Sequence, residues 1–431
     1  MLGWACATPI HAAESGFGLG MSLAYESNIS RVETNPQSDW TYGLTGSLFY
    51  LENTVDVTSR VLAQVERRHF YGNSFNDDTI GFLDGAGVWT ISPRQLTWTV
   101  EDTFRMVQHD LTAPDTPSNL TQSNTLSTGP DYTLSMSPTN SVVIGGRYGR
   151  FDIKNDNRDS QRRTGYLRGV HALSSQAKLS LNYEATQIYF EPGALAYSKI
   201  SREDLYGRLE NLSGANNTVV DLGTSRVTQY GDASAPSSLG PSGFARLTVL
   251  EKLSSQSTLR FAYSHQVSDT FTDFLLGVAG STAPRDPPIA LPIAPTFASI
   301  DLYRSQRSEL AYANNDGRFG YTLQVYGRRV DFATQDQNDF WERGGTFLWA
   351  WVFSGAVRFN ASAFSNNRTY TSIDRQDIDR TYDAGGTYRV NANITARIYV
   401  ARIERHSTVP LNSYVDNRIV LTLGYVSGLR Q

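Results

Sequence analysis

The side chains able to do chemistry are unevenly supplied in this sequence. Six histidines, His11, His69, His109, His171, His265 and His406, are scattered through 431 residues, and no pair has the spacing that lets two imidazoles on one helix face hold a metal. The single cysteine, Cys6, rules out disulfide frameworks, thiolate clusters and cysteine redox chemistry within one chain. Neither a nucleophile elbow on a strand-to-helix turn nor a nucleotide-binding glycine loop occurs, so the sequence offers no catalytic constellation and calls for no cofactor. Of 38 basic residues only Lys154, Lys178, Lys199 and Lys252 are lysines; the rest are arginines, whose planar fork matches carboxylates and hydroxyl arrays in fixed geometry. The chemistry left is polar recognition. Its candidate residues are Arg60, Arg147, Arg260, Arg318, Arg328, Arg358 and Arg397, with Tyr326 and the acids Asp56, Glu66, Glu101 and Glu184.

What places these residues on one surface is alternation. In Lys178–Thr186, Leu179, Leu181, Tyr183 and Ala185 share one face, while Lys178, Ser180, Asn182, Glu184 and Thr186 share the other. Phe319, Tyr321, Leu323 and Val325 likewise oppose Arg318, Thr322, Gln324, Tyr326 and Arg328. Period two is the mark of a strand with one apolar and one polar face, and no segment sustains a helical period.

Two kinds of break separate the strands. Compact turns such as Ser92-Pro93-Arg94, Ser174-Ser175-Gln176, Ser254-Ser255-Gln256 and Asn391-Ala392-Asn393 recur about every 40 residues, the spacing of a hairpin repeat. Between them lie longer polar loops, among them 71–77, 110–121 and a Pro-rich stretch from Phe271 to Tyr303. Nine short turns and ten long loops predict 20 strands, with 18 to 22 tolerated. The predicted fold is all-β: a transmembrane, antiparallel, up-and-down barrel with short periplasmic turns and longer extracellular loops, since lipid accepts only structures whose backbone groups are all paired. Trp89, Trp98, Trp349 and Trp351 near short turns, and Trp40 and Trp341 near long loops, suit two aromatic girdles. A soluble propeller, whose blades also run to about 40 residues, is the alternative.

Composition agrees with export and a membrane setting. Aromatics reach 12% and charged residues 19%, which excludes a disordered chain, while the apolar run Phe347–Phe353 is far short of the roughly 18 residues a membrane helix needs. A net charge of −4 leaves no basic surplus for nucleic acid. Residues 1–12 read as a partial signal peptide ending at Ile10-His11-Ala12, leaving a single domain over 13–431. The expected surroundings are outer-membrane lipid and lipopolysaccharide, with the barrel-insertion machinery as assembly partner.

With apolar faces toward lipid, the arginines and acids above line a lumen that about 20 strands make too wide for side chains to fill. Two readings stay open for each charge: transient contact with a polar solute, or pairing across strands that holds the barrel's shape. The loop residues Arg285, Asp286, Pro287, Pro288, Pro292 and Pro295 are too apolar in company and too Pro-rich for a free loop or a strand. They are expected to fold into the lumen as a constriction, or to cap the rim.

The phrase Tyr25-Glu-Ser-Asn-Ile-Ser-Arg31 and the turns Ser92-Pro-Arg-Gln-Leu-Thr97, Leu173-Ser-Ser-Gln-Ala-Lys-Leu179 and Leu253-Ser-Ser-Gln-Ser-Thr-Leu259 are similar to motifs of the β-barrel porin type 2 family. That family is found in exopolysaccharide and exosortase gene clusters of Gram-negative bacteria. The resemblance covers nearly the whole chain and implies a role in export or surface assembly of a polysaccharide, with periplasmic export components as partners; it carries over no catalytic or ligand residue. One departure is the C-terminus, where Val426–Gln431 overhangs Tyr425, the aromatic expected to end the last strand. A diffusion porin for small solutes and a non-conducting scaffold or receptor are the other functional readings.

Overall fold

Alternation of apolar and polar residues becomes twenty strands. The computed structural model describes residues 13–154, 159–191, 197–231, 242–273, 302–333 and 338–428. The expected leader 1–12 and the loop residues Arg285, Asp286, Pro287, Pro288, Pro292 and Pro295 lie outside the described residues. In chain order the first ten strands are β1 (Glu14–Glu26), β2 (Asp39–Asn53), β3 (Val57–Phe70), β4 (Asp78–Ser92), β5 (Leu96–Gln108), β6 (Leu120–Ser135), β7 (Asn140–Ile153), β8 (Ser160–Ala172), β9 (Ala177–Phe190) and β10 (Tyr197–Leu212). The second ten are β11 (Asn216–Gly231), β12 (Ser242–Lys252), β13 (Ser257–Ser268), β14 (Tyr303–Asn315), β15 (Phe319–Phe332), β16 (Phe340–Val352), β17 (Val357–Tyr370), β18 (Gln376–Arg389), β19 (Ile394–Ser407) and β20 (Tyr414–Ser427).

Each strand pairs antiparallel with its neighbours in sequence, and β20 returns to β1 with Ser427 opposite Phe17 and Arg418 opposite Glu26. The sheet is therefore a closed ring with no edge, which satisfies the backbone where no water is available. The repeated turn phrases have a local cause. Ser174 Oγ accepts the backbone N–H of Gln176 (3.1 Å) and Ala177 (2.9 Å), and Ser254 Oγ accepts those of Gln256 and Ser257 (both 3.1 Å), so the first serine of each Ser-Ser-Gln closes its own turn. Gly214 and Gly317 hold φ of 76° and 87° in two other turns, a conformation a side chain resists.

Register fixes which face looks out. Leu19, Met21 and Leu23 on β1 stand opposite Leu421 and Leu423 on β20 and Tyr42 and Leu44 on β2, and all of these are exposed on the outer surface. Such a continuous exposed apolar band is unstable in water and stable in lipid. Aromatics rim it at both ends. Phe319 stacks on Trp351 at 5.9 Å and 7°, beside Phe353 and Phe359, near the short turns, and Tyr25 packs on Trp40 at 5.1 Å near the long loops. Among the described residues no helix is long and apolar enough to cross a membrane.

Candidate functional site: the barrel lumen

The inward positions of the strands carry most of the predicted lumen residues. Arg60 reaches Asp84 on β4 at 3.1 Å, and Arg147 grips Asp131 on β6 through both terminal nitrogens at 2.9 and 2.7 Å. Arg260 pairs with Glu309 on β14, which Arg307 also contacts at 2.9 Å, and Arg328 meets Asp273 at 3.0 Å. Arg397 lies over the Tyr399 ring at 4.9 Å, and Arg358 is exposed on the inward face near its short turn. Glu66 accepts a hydrogen bond from Ser22 Oγ at 3.3 Å, while Glu101 and Glu184 are half-buried at inward positions. Tyr326 presses on Gly344 so closely that a Cβ there would sit 2.7 Å from its hydroxyl oxygen. Arg60, Arg147, Arg260 and Arg328 thus each pair with a carboxylate of another element.

Arg318 is one of two exceptions. It stands in the turn ahead of β15, exposed, where Asp316 accepts the backbone N–H groups of Arg318 (2.8 Å) and Phe319 (2.6 Å). Those two N–H groups also hold the Asp316 carboxyl below the usual carboxylate range. Asp56 stands likewise exposed in the turn just ahead of β3.

Other lumen residues went unremarked in the sequence although their alternation was readable. Arg162-Arg163-Thr164-Gly165-Tyr166-Leu167-Arg168 puts Arg162, Tyr166 and Arg168 inward together. From there a stripe of guanidinium and aromatic groups crosses adjacent strands. Arg147 and Arg168 lie over Tyr166 at 5.5 and 5.7 Å, Arg208 and Arg246 flank Tyr206 at 5.8 and 5.6 Å, and Arg246 covers Phe244 at 4.7 Å. Asp221, only 1% exposed, holds both Arg208 (2.6 and 3.0 Å) and Arg246 (2.9 Å). The arrangement fixes arginines by carboxylates and lays them over the rings: Tyr206 and Phe244 are only 5 and 3% exposed, so it is guanidinium N–H groups and the half-buried Tyr166 that reach the bore. Such a wall suits hydroxylated or anionic solutes.

At the long-loop end the lumen is not polar throughout: apolar clusters stand beside buried ion pairs, which corrects the expectation of a wholly polar interior. Val107, Phe151, Ile153, Ile188, Phe190, Ile200 and Val227 form a buried apolar cluster with Phe271 and Leu302. Inward alternation continues there, but in apolar residues, because two segments fold inside and need a partner. The first segment is residues 269–273. Asp269 pairs with Arg162 at 2.6 Å, the Arg162 guanidinium sits 4.0 Å from the Phe271 ring centre, and Asp273 accepts from Tyr303 (2.6 Å) and Arg328 (3.0 Å). Burial by itself would raise the Asp269 carboxyl, but the Arg162 charge and the Thr272 N–H outweigh it and hold that carboxyl below the usual range.

The second segment is the loop after β5. Asn119 staples it by bonding Asp110 N–H, Asp110 O and Pro114 O at 2.9, 2.9 and 3.0 Å. Leu111 then joins a cluster with Tyr303, Val330, Phe332, Phe340 and Tyr370 from β14 to β17, the far wall of a twenty-strand ring. Arg375 donates to Thr112 O at 2.5 Å, and Arg31 of the β1–β2 loop pairs with Asp115 at 3.5 Å. The bore is thus crossed near its extracellular end by residues that the sequence did not single out. The expected constriction by residues 285–295 falls outside the described region.

No histidine takes part in a metal-like cluster: among the described residues no group of three or more His, Cys, Asp and Glu could hold an ion. His69 instead bonds Asp77 at 2.8 Å on the outer surface.

No family model and no curated protein matches the chain. Among solved structures it is similar to the ferric enterobactin receptor of Pseudomonas aeruginosa in complex with enterobactin, at 10% identity and a TM-score of 0.47 over 97% of this chain and 82% of that one. It is also similar to the FrpB iron transporter of Neisseria meningitidis, at 9% identity and 0.45 over 95% and 81%. A third similar structure is OccK2 of Pseudomonas aeruginosa in complex with glucuronate, at 10% identity and 0.40 over 96% and 98%. At such values the likeness adds nothing finer than the class of fold, and it is the chain's own register and surface that assign that class. A closed ring of twenty strands, apolar outside and charged inside, with aromatic rims at both ends, makes this chain an outer-membrane β-barrel.

Proposed function

We propose that the barrel provides a passage for export or surface assembly of a polar polymer, an exopolysaccharide, driven by periplasmic partners. The observation that carries this reading is the inward stripe from Arg147 and Tyr166 to Phe244 and Arg246, in which arginines held by Asp131 and Asp221 alternate with aromatic rings. Guanidinium N–H groups fixed in this way bond hydroxyl and carboxylate oxygens of a passing sugar, and the half-buried Tyr166 ring offers it a stacking face. The likeness of the turn phrases to the exopolysaccharide-associated porin type 2 family supports the same reading, and the inward segments at 109–119 and 269–273 suit a conduit kept shut between uses.

A deletion strain tests it. Loss of surface polysaccharide, restored by the wild-type gene and not by a Tyr166→Ala, Arg168→Gln variant that still assembles, is the expected outcome. Unchanged polysaccharide in the deletion strain overturns the reading. The second reading, a diffusion porin for small solutes, is favoured by the water-reached arginines Arg260 and Arg307. It predicts free ion conductance by the wild-type protein in planar bilayers.

A further inference from the structure

The outer surface carries charge as well as the bore. At the long-loop ends of the strands several outward cations are cancelled by a carboxylate beside them: Arg150 by Asp152 at 2.7 Å, Arg329 by Asp331 at 2.8 Å, and Arg380 and Arg402 by Glu404 at 3.4 and 3.1 Å. The sector from β8 to β11 is different. Arg163, Lys199 and Arg226 occupy outward positions there, and none of them makes an ion pair among the described residues. Their contacts are aromatic: Arg163 lies 5.5 Å from the Tyr189 ring, and Lys199 is held between Tyr189 and Tyr230 at 5.4 and 5.3 Å. Arg163 and Arg226 are exposed; among the described residues the acids nearby are Glu203, across the ladder from Arg226, and Asp159 and Glu191 just beyond the ends of β8 and β9. An uncancelled cation clamped between two rings at a lipid-facing surface is a site without its counter-charge.

What the counter-charge is attached to follows from the residues below. On the same four strands Leu167, Leu181, Leu205 and Leu222 face outward, 48, 63, 46 and 62% exposed, as part of the apolar band. Arg163 and Arg226 stand four residues from Leu167 and Leu222 toward the loops, and Lys199 six from Leu205. That is roughly 10–15 Å along the membrane normal for tilted strands. A ligand meeting both levels has apolar chains along the leucines and anionic groups at the cations. We infer that this sector binds a phosphorylated, acylated glycolipid of the outer leaflet, its phosphates at Arg163, Lys199 and Arg226, and its sugar ring against Tyr189 and Tyr230. Phosphate suits the site because a guanidinium takes it bidentately and an ammonium takes it as a point charge. Near a surface each such cation contributes appreciably to anion binding.

The test uses the full chain in detergent micelles, with bisphosphorylated lipid A as probe and lipid retention read by native mass spectrometry. The wild-type protein is expected to retain it at least tenfold better than its dephosphorylated form. The combined variant Arg163→Gln, Lys199→Gln, Arg226→Gln should lose at least tenfold while keeping the heat-modifiable band of an assembled barrel. Should that variant fail to assemble, the single variants Arg163→Gln and Lys199→Gln are each expected to lose severalfold. Equal retention by the variants, or indifference to dephosphorylation, overturns the site. Displacement of the lipid by millimolar inorganic phosphate reduces it to a bare anion site and overturns the glycolipid.

Discussion

Asp221 shows how charge is used at the level of single residues. One carboxylate, almost fully buried, is shared by Arg208 and Arg246, whose side chains remain 22 and 26% exposed to the bore. Removing its charge leaves two cations side by side. For a fully buried pair that would cost about 3–5 kcal/mol, and water in the bore screens part of it, so Asp221→Asn should destabilise by roughly 2 kcal/mol. The same change adds positive charge to the lumen wall, so the reversal potential across a salt gradient should move toward anion selectivity; an unmoved potential would mean that this wall is not on the ion path. Asp102 presents the opposite case. It faces outward, between Val100 and Phe104 on β5 and opposite Leu126 on β6, with the Asn124 amide its nearest donor. A carboxylate in the apolar band is unfavourable, less so than Arg or Lys there, and Asp102→Leu should raise stability by about 1–2 kcal/mol. Urea unfolding in lipid vesicles measures it, and a loss instead of a gain would mark Asp102 as a contact for another protein in the membrane.

At the scale of elements the notable object is the turn at 269–273, which leaves β13 and crosses to β7 and β8. Phe271 packs where Gly149 has no side chain: a Cβ on Gly149 would sit 2.6 Å from its ring. The ion pair between Asp269 and Arg162 anchors it, and its pH dependence follows from the depressed Asp269 carboxyl. A group whose pKa is lowered on folding contributes fully above its unfolded value, about 3.9, and its contribution disappears as pH falls through the lower folded value. Single-channel conductance should therefore stay at its resting level from neutral pH to about 4 and rise below it. Asp269→Asn should raise conductance already at neutral pH and flatten the acid response. A variant that stays at the resting level would leave the seal to the 109–119 loop alone.

This turn also shows what a sequence does and does not disclose. Strand number, alternation and the two kinds of connection were readable because lipid and water impose a period of two on every strand and short turns need Ser, Asn, Gly and Pro. The inward face was readable for the same reason. Arg318 and Asp56 stand in turns, each one residue before a strand begins. Cross-lumen contacts were not readable. Asp269 meets Arg162, and Leu111 meets Tyr370, across distances in sequence that no local pattern encodes, and period two cannot say which loop turns inward.

For the whole molecule the decisive property is closure, since an open sheet of this length would expose two unpaired edges to lipid. Closure rests on the seam between β1 and β20. There Phe17 and Tyr425 pack at 6.1 Å on the outside, Arg418 bonds Glu26 at 2.6 Å, and Ser22 faces Thr422. Tyr425 thus sits inside the seam, with Val426 and Ser427 still paired to β1 beyond it, so the overhang after the last aromatic continues the strand through Ser427. The seam can be tested covalently because Cys6 is the sole native cysteine. In a Cys6→Ser background, Ser22→Cys with Thr422→Cys should oxidise within the assembled barrel and give a faster-migrating band that reductant reverses. A bridge joining residues 400 positions apart removes chain entropy worth about 6 kcal/mol on the loop-closure relation, so the oxidised protein should also need a markedly higher temperature to lose its folded mobility on a gel. Thiols that stay reduced in the assembled protein would mean that the first and last strands do not meet, and the closed ring would fall with them.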